Sequence, residues 1–208
     1  MKKTFIPIVI LSTTCTHAAT TLSFEFDTSA NAINGNTTLA DAHDTAIDGK
    51  TTATSFSLND IVPGLTLTIT PSQNDISYTT TGLGIDTGGT LDAVGDALTF
   101  SFNREVSLDF LDMGSFTGSG GVGEDSVSVS FSNSNPTINL VGGDFENNTS
   151  DTINFSSGNT LAANESFTIS RVDGSFTIQG FDVTAVPEPS SVTLIGLGGL
   201  ALLMRRRK

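Results

Sequence analysis

Apolar and polar side chains alternate with a period of two along most of this chain. In TLSFEFD, Leu22, Phe24 and Phe26 share one phase; LTLTIT repeats this with Leu65, Leu67 and Ile69, and LTFSF with Leu98, Phe100 and Phe102. Successive side chains of an extended chain point to opposite faces, so the alternation predicts half-buried strands, apolar inside and Thr or Ser outside. The same reading covers VSLDF from Val106, SVSVSF ending at Phe131, TINLV across Ile138 and Val141, TINFS across Ile153 and Ser156, and SFTIS across Phe167 and Ser170. Clusters such as GSGGVGED, SNSNP and GGDFENNTSD separate these segments and supply turn residues.

The last predicted strand, SFTIQGFDVTAV, changes phase. Phe176 and Ile178 occupy even positions, whereas Phe181 and Val183 occupy odd ones. A one-residue slip at Gly180 predicts a β-bulge, since an extra residue there returns the apolar side chains to one face. No stretch of the body carries a 3.6-residue apolar period, and Gly and β-branched residues are plentiful. The chain is therefore expected to be all-β, an antiparallel β-sandwich or jelly roll of about eight to eleven short strands. Residues 38–50, TLADAHDTAIDGK, read as a short helical turn or an irregular loop. No fixed-period repeat of solenoid or propeller length is present.

The 208 residues suit one ordinary domain with trimmed ends. Charge sharpens that picture. Lys2, Lys3, Arg205, Arg206, Arg207 and Lys208 lie at the two extremities, so between residues 20 and 186 there are 21 acidic residues against Lys50, Arg104 and Arg171, a net charge of -18. Such a body repels phosphate backbones, which excludes nucleic acid as a partner.

The N-terminal residues MKKTFIPIVILSTTCTHAATT run from two lysines through an apolar stretch to small residues at Ala18 and Ala19. That order predicts a cleavable secretory signal helix over residues 1–19, cut at Ala18 or Ala19, because the apolar stretch is too short to span about 30 Å of hydrocarbon. Cys15 follows STT rather than the Leu and small residues of a lipid-attachment site, and reads as an ordinary residue of the signal. After signal removal the chain has no thiol, so core burial must hold it together.

At the other end, residues 190–204 carry no charge and are rich in Val, Leu, Ile, Ala and Gly. As a helix they span roughly 22 Å, short for a bilayer but sufficient with snorkelling basic residues and modest thinning, which predicts a short C-terminal transmembrane helix. Arg205, Arg206, Arg207 and Lys208 favour the cytoplasmic side and stop translocation, placing the acidic body outside. Pro187 and Pro189 keep the preceding strip extended and open to a processing enzyme.

Val186, Pro187, Glu188 and Pro189, the apolar run and the terminal basic cluster, in this order, closely resemble the PEP-CTERM sorting signal of exported proteins in Gram-negative bacteria. The resemblance implies recognition by an exosortase, a membrane-embedded cysteine transpeptidase-like enzyme that removes the tail near the Pro-Glu-Pro motif. It also implies association with exopolysaccharide and biofilm matrix. The expected organisation is a signal peptide over 1–19, a β-sandwich ectodomain over 20–185 and a sorting signal over 186–208. Residues 82–116 are similar to segments common in PEP-CTERM ectodomains, a Gly/Asp-rich loop before a Phe-rich hairpin.

Candidate chemistry in the body is sparse. Asp86, Thr87 and Gly88 match the Asp-Thr-Gly core of aspartic proteases, but a second copy is required and Asp27-Thr28-Ser29 lacks the glycine, so GIDTGG reads as a Gly-rich turn. Asp41, Asp44 and Asp48 in one loop, Asp86, Asp92 and Asp96 in another, and Glu124 with Asp125 in a third are candidates for a structural Ca²⁺, although none has EF-hand spacing. With His43 the sole histidine after signal removal, a histidine-rich zinc site is excluded, and no serine motif accompanies it. GSGGVG lacks the Lys-Ser/Thr end of a phosphate loop and runs into a strand. The body has no Trp and only Tyr78, so aromatic stacking on sugars has little to work with, and its 13 phenylalanines read as core.

These readings converge on an exported, non-enzymatic cell-surface or extracellular-matrix protein, structural or adhesive. Its expected partners are an exosortase-type enzyme, the membrane through its C-terminal helix, and exopolysaccharide. The alternative is a non-catalytic carbohydrate-binding module assisted by calcium.

Overall fold

A computed structural model describes residues 19–26, 47–79, 81–86, 88–114, 116, 125–141, 152–155 and 159–186, with the backbone alone at 32–33. These residues are all-β, and every strand pairing is antiparallel. An eight-stranded sheet runs β11 (Thr152–Asn154), β8 (Val106–Gly114), β14 (Thr177–Ala185), β1 (Thr20–Glu25) and β2 (Ala32–Ile33). In the same sheet β12 (Thr160–Leu161) pairs with β8, and the hairpin of β5 (Ile76–Thr79) and β6 (Gly82–Ile85) joins β14 through β6. A six-stranded sheet runs β10 (Ile138–Val141), β9 (Ser126–Phe131), β13 (Ser166–Asp173), β7 (Ala97–Phe102), β4 (Thr66–Pro71) and β3 (Thr54–Ser57). Thr20–Val186 makes one compact unit.

The alternation read from the sequence sets which side chains go inside. Leu22, Leu65, Leu67, Ile69, Leu98, Phe100, Val127, Val129, Phe167 and Ile169 are fully buried, and the apolar faces of both sheets share one core. Each such side chain withdrawn from water contributes about 1.5–3 kcal/mol of transfer free energy, and without a disulfide this burial is the main stabilising term.

All nine predicted strand segments are strands, but the described residues hold fourteen, more than the eight to eleven expected. The additional ones are β2, β3, β5, β6 and β12, and each had a physical reason to escape notice; β5, ISYT, sets a single apolar side chain, Ile76, fully inside. β2 and β12 are two residues long, and β3 contributes a single core side chain, Phe56. β6 has no polar phase because all four of its residues are buried. Its Gly84 is required by close approach, since a Cβ there would overlap the Gly89 carbonyl. The expected Gly/Asp-rich loop from residue 82 therefore begins as a strand. Of the helical turn or loop expected over residues 38–50, the described part, 47–50, forms a turn closed by Lys50 N–H donating to Ile47 O at 3.3 Å.

The phase slip in the last strand is a bulge. Along β14, Ile178 faces Met113 and Gly180 faces Asp112, leaving Gln179 as the extra residue. Its carbonyl accepts the Phe26 N–H at 2.6 Å, which ties the bulge to the end of β1. Gly180 lies so near β1 that a Cβ would overlap the Phe24 carbonyl oxygen. A second bulge, on β8, leaves Asp109 between Leu108 and Phe110, opposite Val183 and Asp182. One extra residue on each strand lets the two nine-residue strands pair from end to end.

Past its bulge, β14 delivers Phe181 into the centre of the core. The ring lies 4.6 Å from Phe24 on the adjacent strand, and crosses to the opposite sheet to meet Phe100 at 5.0 Å and Phe167 at 5.4 Å edge-on. Phe100 and Phe167, paired across β7 and β13, stack at 5.0 Å. Edge-to-face and offset contacts of this kind add about 0.5–1.5 kcal/mol each beyond area burial. Phe181→Ala is expected to cost about 3–5 kcal/mol of unfolding free energy, measured by urea denaturation. Gly180→Ala is expected to cost about 1–3 kcal/mol by pushing β14 from β1. A Gly180→Ala protein with an unchanged urea midpoint would show that the close approach is not required.

Candidate functional site

The body gives way to the C-terminal segment at one defined point. Ala185, the last residue of β14, pairs with Thr20 of β1 on one side and Val106 of β8 on the other, and is buried. Val186 adds one further bond, its N–H donating to Glu105 O at 3.0 Å. The next residue in sequence, Pro187, has no N–H to continue the ladder, so pairing has a chemical reason to end there. Of the predicted sorting strip, Val186 is thus bound to the sheet, while Pro187, Glu188 and Pro189 lie outside the described residues, as do the apolar run and Arg205, Arg206, Arg207 and Lys208. Among the described residues no helix is long and apolar enough to cross a membrane.

The predicted signal-cleavage point lies at the same end of the same sheet. Ala19 is exposed and immediately precedes Thr20, the cross-strand partner of Ala185; Ala18 is outside the described residues. The two predicted processing points therefore flank a single residue pair. Sequence alone gave no indication of this, because the pairing of β1 with β14 joins residues at opposite ends of the chain.

The acidic candidates have separate roles. Asp96 is 2% exposed, and its carboxylate accepts the backbone N–H groups of Asp92 at 3.0 Å and Ala93 at 2.7 Å and the Gln73 side-chain amide at 2.7 Å. It thereby closes the 91–96 loop on itself and ties it to the loop after β4; without these donors the buried carboxylate itself would cost about 1–3 kcal/mol or more. Asp86 sits at φ 65° in the turn after β6, where its carboxylate accepts from the Asn74 side chain at 2.8 Å and its carbonyl accepts the Gly89 N–H at 3.0 Å. Of GIDTGG, Gly84 and Ile85 end β6 and Asp86, Gly88 and Gly89 form a turn, while Thr87 lies outside the described residues. Asp92 is exposed. Asp48 accepts the Tyr78 N–H at 2.9 Å, and the buried Asp125 accepts the Ser175 N–H at 2.8 Å. Asp41, Asp44, His43 and Glu124 lie outside the described residues. Among the described residues no group of three or more His, Cys, Asp or Glu is arranged to hold a metal ion.

The buried role of Asp96 had one visible signal: an Asp directly after Gly95, at the mouth of the alternating stretch that becomes β7. Gly95 adopts φ 96°, the reversal that turns the Asp96 carboxylate back onto its own loop.

Comparison with known proteins supports the C-terminal reading. Residues 185–208 match the PEP-CTERM protein-sorting motif. No curated protein and no solved structure matches the chain. The motif indicates exosortase-dependent sorting of an exported surface protein in Gram-negative-type cells. It begins on Ala185, the buried last residue of the central strand, so recognition segment and core share one continuous stretch of backbone. At its C-terminal end, over residues 185–208, the chain carries the PEP-CTERM protein-sorting motif.

Proposed function

We propose that the protein is an exported surface or matrix component, structural or adhesive and non-catalytic, whose body is a β-sandwich acting in association with exopolysaccharide. On this reading residues 1–19 are removed as a signal peptide, and the body crosses the inner membrane. Residues 190–204 then hold the tail in the bilayer while Arg205 to Lys208 keep its end cytoplasmic, and an exosortase acts on the strip that Pro187, Glu188 and Pro189 hold extended.

One observation carries this reading: the sorting motif begins on the strand that pairs with the residue following the predicted signal-cleavage point. A folded body then brings Thr20 and Ala185, the residues next to the two predicted processing points, to the same end of two neighbouring strands. Val186 bounds the strip on the body side, because its amide is held by Glu105. A cut at or beyond Val186 releases the body with its central strand intact.

Two outcomes are expected. The intact mass of the native protein should correspond to an N-terminus at Ala19 or Thr20 and a C-terminus between Val186 and Pro189. A mass that retains Arg205 to Lys208 would withdraw the cleavage step. Separately, Glu188→Gln, or deletion of residues 205–208, should leave the chain as a membrane-bound precursor on fractionation and immunoblotting, and normal processing of both variants would identify a plain anchor instead.

A further inference from the structure

The outer face of the six-stranded sheet is uncharged up to the bulge at Val172, beyond which the exposed Asp173 lies opposite Ser126. Along its four central strands, β9, β13, β7 and β4, every outward position up to the bulge at Val172 is Ser or Thr except Ala97. The strand register aligns them into rows. Ser55, Thr68, Ser101 and Ser166 face one another across β3, β4, β7 and β13. Thr70, Thr99, Thr168 and Ser130 form the next row across β4, β7, β13 and β9. Hydroxyls bond along the rows, Ser55 to Thr68 at 2.6 Å and Thr99 to Thr168 at 2.8 Å. Strand spacing of about 4.8 Å and a two-residue repeat of about 6.8 Å set the grid.

That neutrality stands out in a body of net charge -18. The opposite sheet shows the contrast: Glu25, Asp109, Asp112 and Asp182 occupy outward positions of β1, β8 and β14. A cationic polymer would seek that face, and an anionic one would be repelled by the whole body. A tight protein partner needs aromatic, Met or Arg anchors, and the hydroxyl rows have none. What remains complementary is a ligand that is itself uncharged and rich in groups that both donate and accept hydrogen bonds, as Ser and Thr hydroxyls do.

We propose that this face is the adhesive surface of the body and that its partner is an extended, neutral polysaccharide. The proposal rests on the adhesive reading above and assigns it a surface and a ligand class. Each sugar hydroxyl exchanged for water contributes little, so a single sugar binds weakly, whereas a polymer lying across several rows accumulates contacts.

The test uses the protein purified from cells and measures its retardation in gels containing dextran, alginate or chitosan as neutral, anionic and cationic probes. Retardation by dextran is expected. Thr168→Val, which removes the hydroxyl at constant shape, and Thr168→Glu, which charges the centre of the face, should weaken it, the latter roughly tenfold or about 1.4 kcal/mol. Ser23→Glu, on the outer face of the other sheet, should leave it unchanged, with urea midpoints confirming that each variant is folded. Equal retardation of parent and both Thr168 variants would overturn the face while leaving adhesion standing. Retardation by alginate or chitosan alone, or self-association abolished by Thr168→Glu, would overturn the ligand class. Absence of retardation in every gel, with the protein also washing freely from extracellular matrix, would overturn the adhesive reading itself.

Discussion

Phe181 must lie inside, and the strand that carries it cannot bury both Ile178 and Phe181 without an extra residue between them. The Gln179 bulge supplies that residue, Gly180 lets the bulged backbone lie against β1, and the ring then bridges both sheets through Phe24, Phe100 and Phe167. The rest of the eight-stranded sheet depends on the same strand, because β14 pairs with β8, β1 and β6. The last strand in sequence is thus central in space, and the sheet cannot close before the chain has been delivered as far as Ala185. Contacts of such long sequence separation make closure a late event, since loop entropy opposes them until neighbouring strands are in place.

How much of this was legible in the sequence depended on how local the cause was. The strands whose two faces meet different environments announced themselves by alternation, and the slip at Gly180 was legible because Phe176, Ile178, Phe181 and Val183 bracket it with unambiguous apolar residues. The equivalent slip on β8 was masked: Val106 and Leu108 are followed by Phe110, which continues their phase but is only half-buried, while Leu111 and Met113 go inside. β6 could not be read at all, as burial on both faces removes the alternation that defines a strand. The sorting segment was legible because its determinants are contiguous. The role of Asp96 was legible only as a turn at Gly95, because a buried carboxylate and an exposed one look alike until the donors around it are placed.

The two sheets turn different chemistry outward. Both bury the same kind of side chain, yet their outer faces differ: acidic positions on one, hydroxyl rows on the other. Alternation fixes only that an outward residue be polar. The choice between Asp and Thr or Ser at such a position is then weighted by strand propensity, which favours Thr, and by the charge of the strands alongside.

The position of β14 also has a mechanical meaning. A load entering the body at Val186 runs along a nine-residue strand clamped at its exit by Val106 on one side and Thr20 on the other. Because both neighbours are antiparallel and hydrogen-bonded to it, drawing the strand out lengthwise must shear two ladders at once and drag the Phe181 ring from between the sheets, whereas peeling an edge strand would break one bond at a time. The C-terminal end of this body is therefore held in shear from both sides.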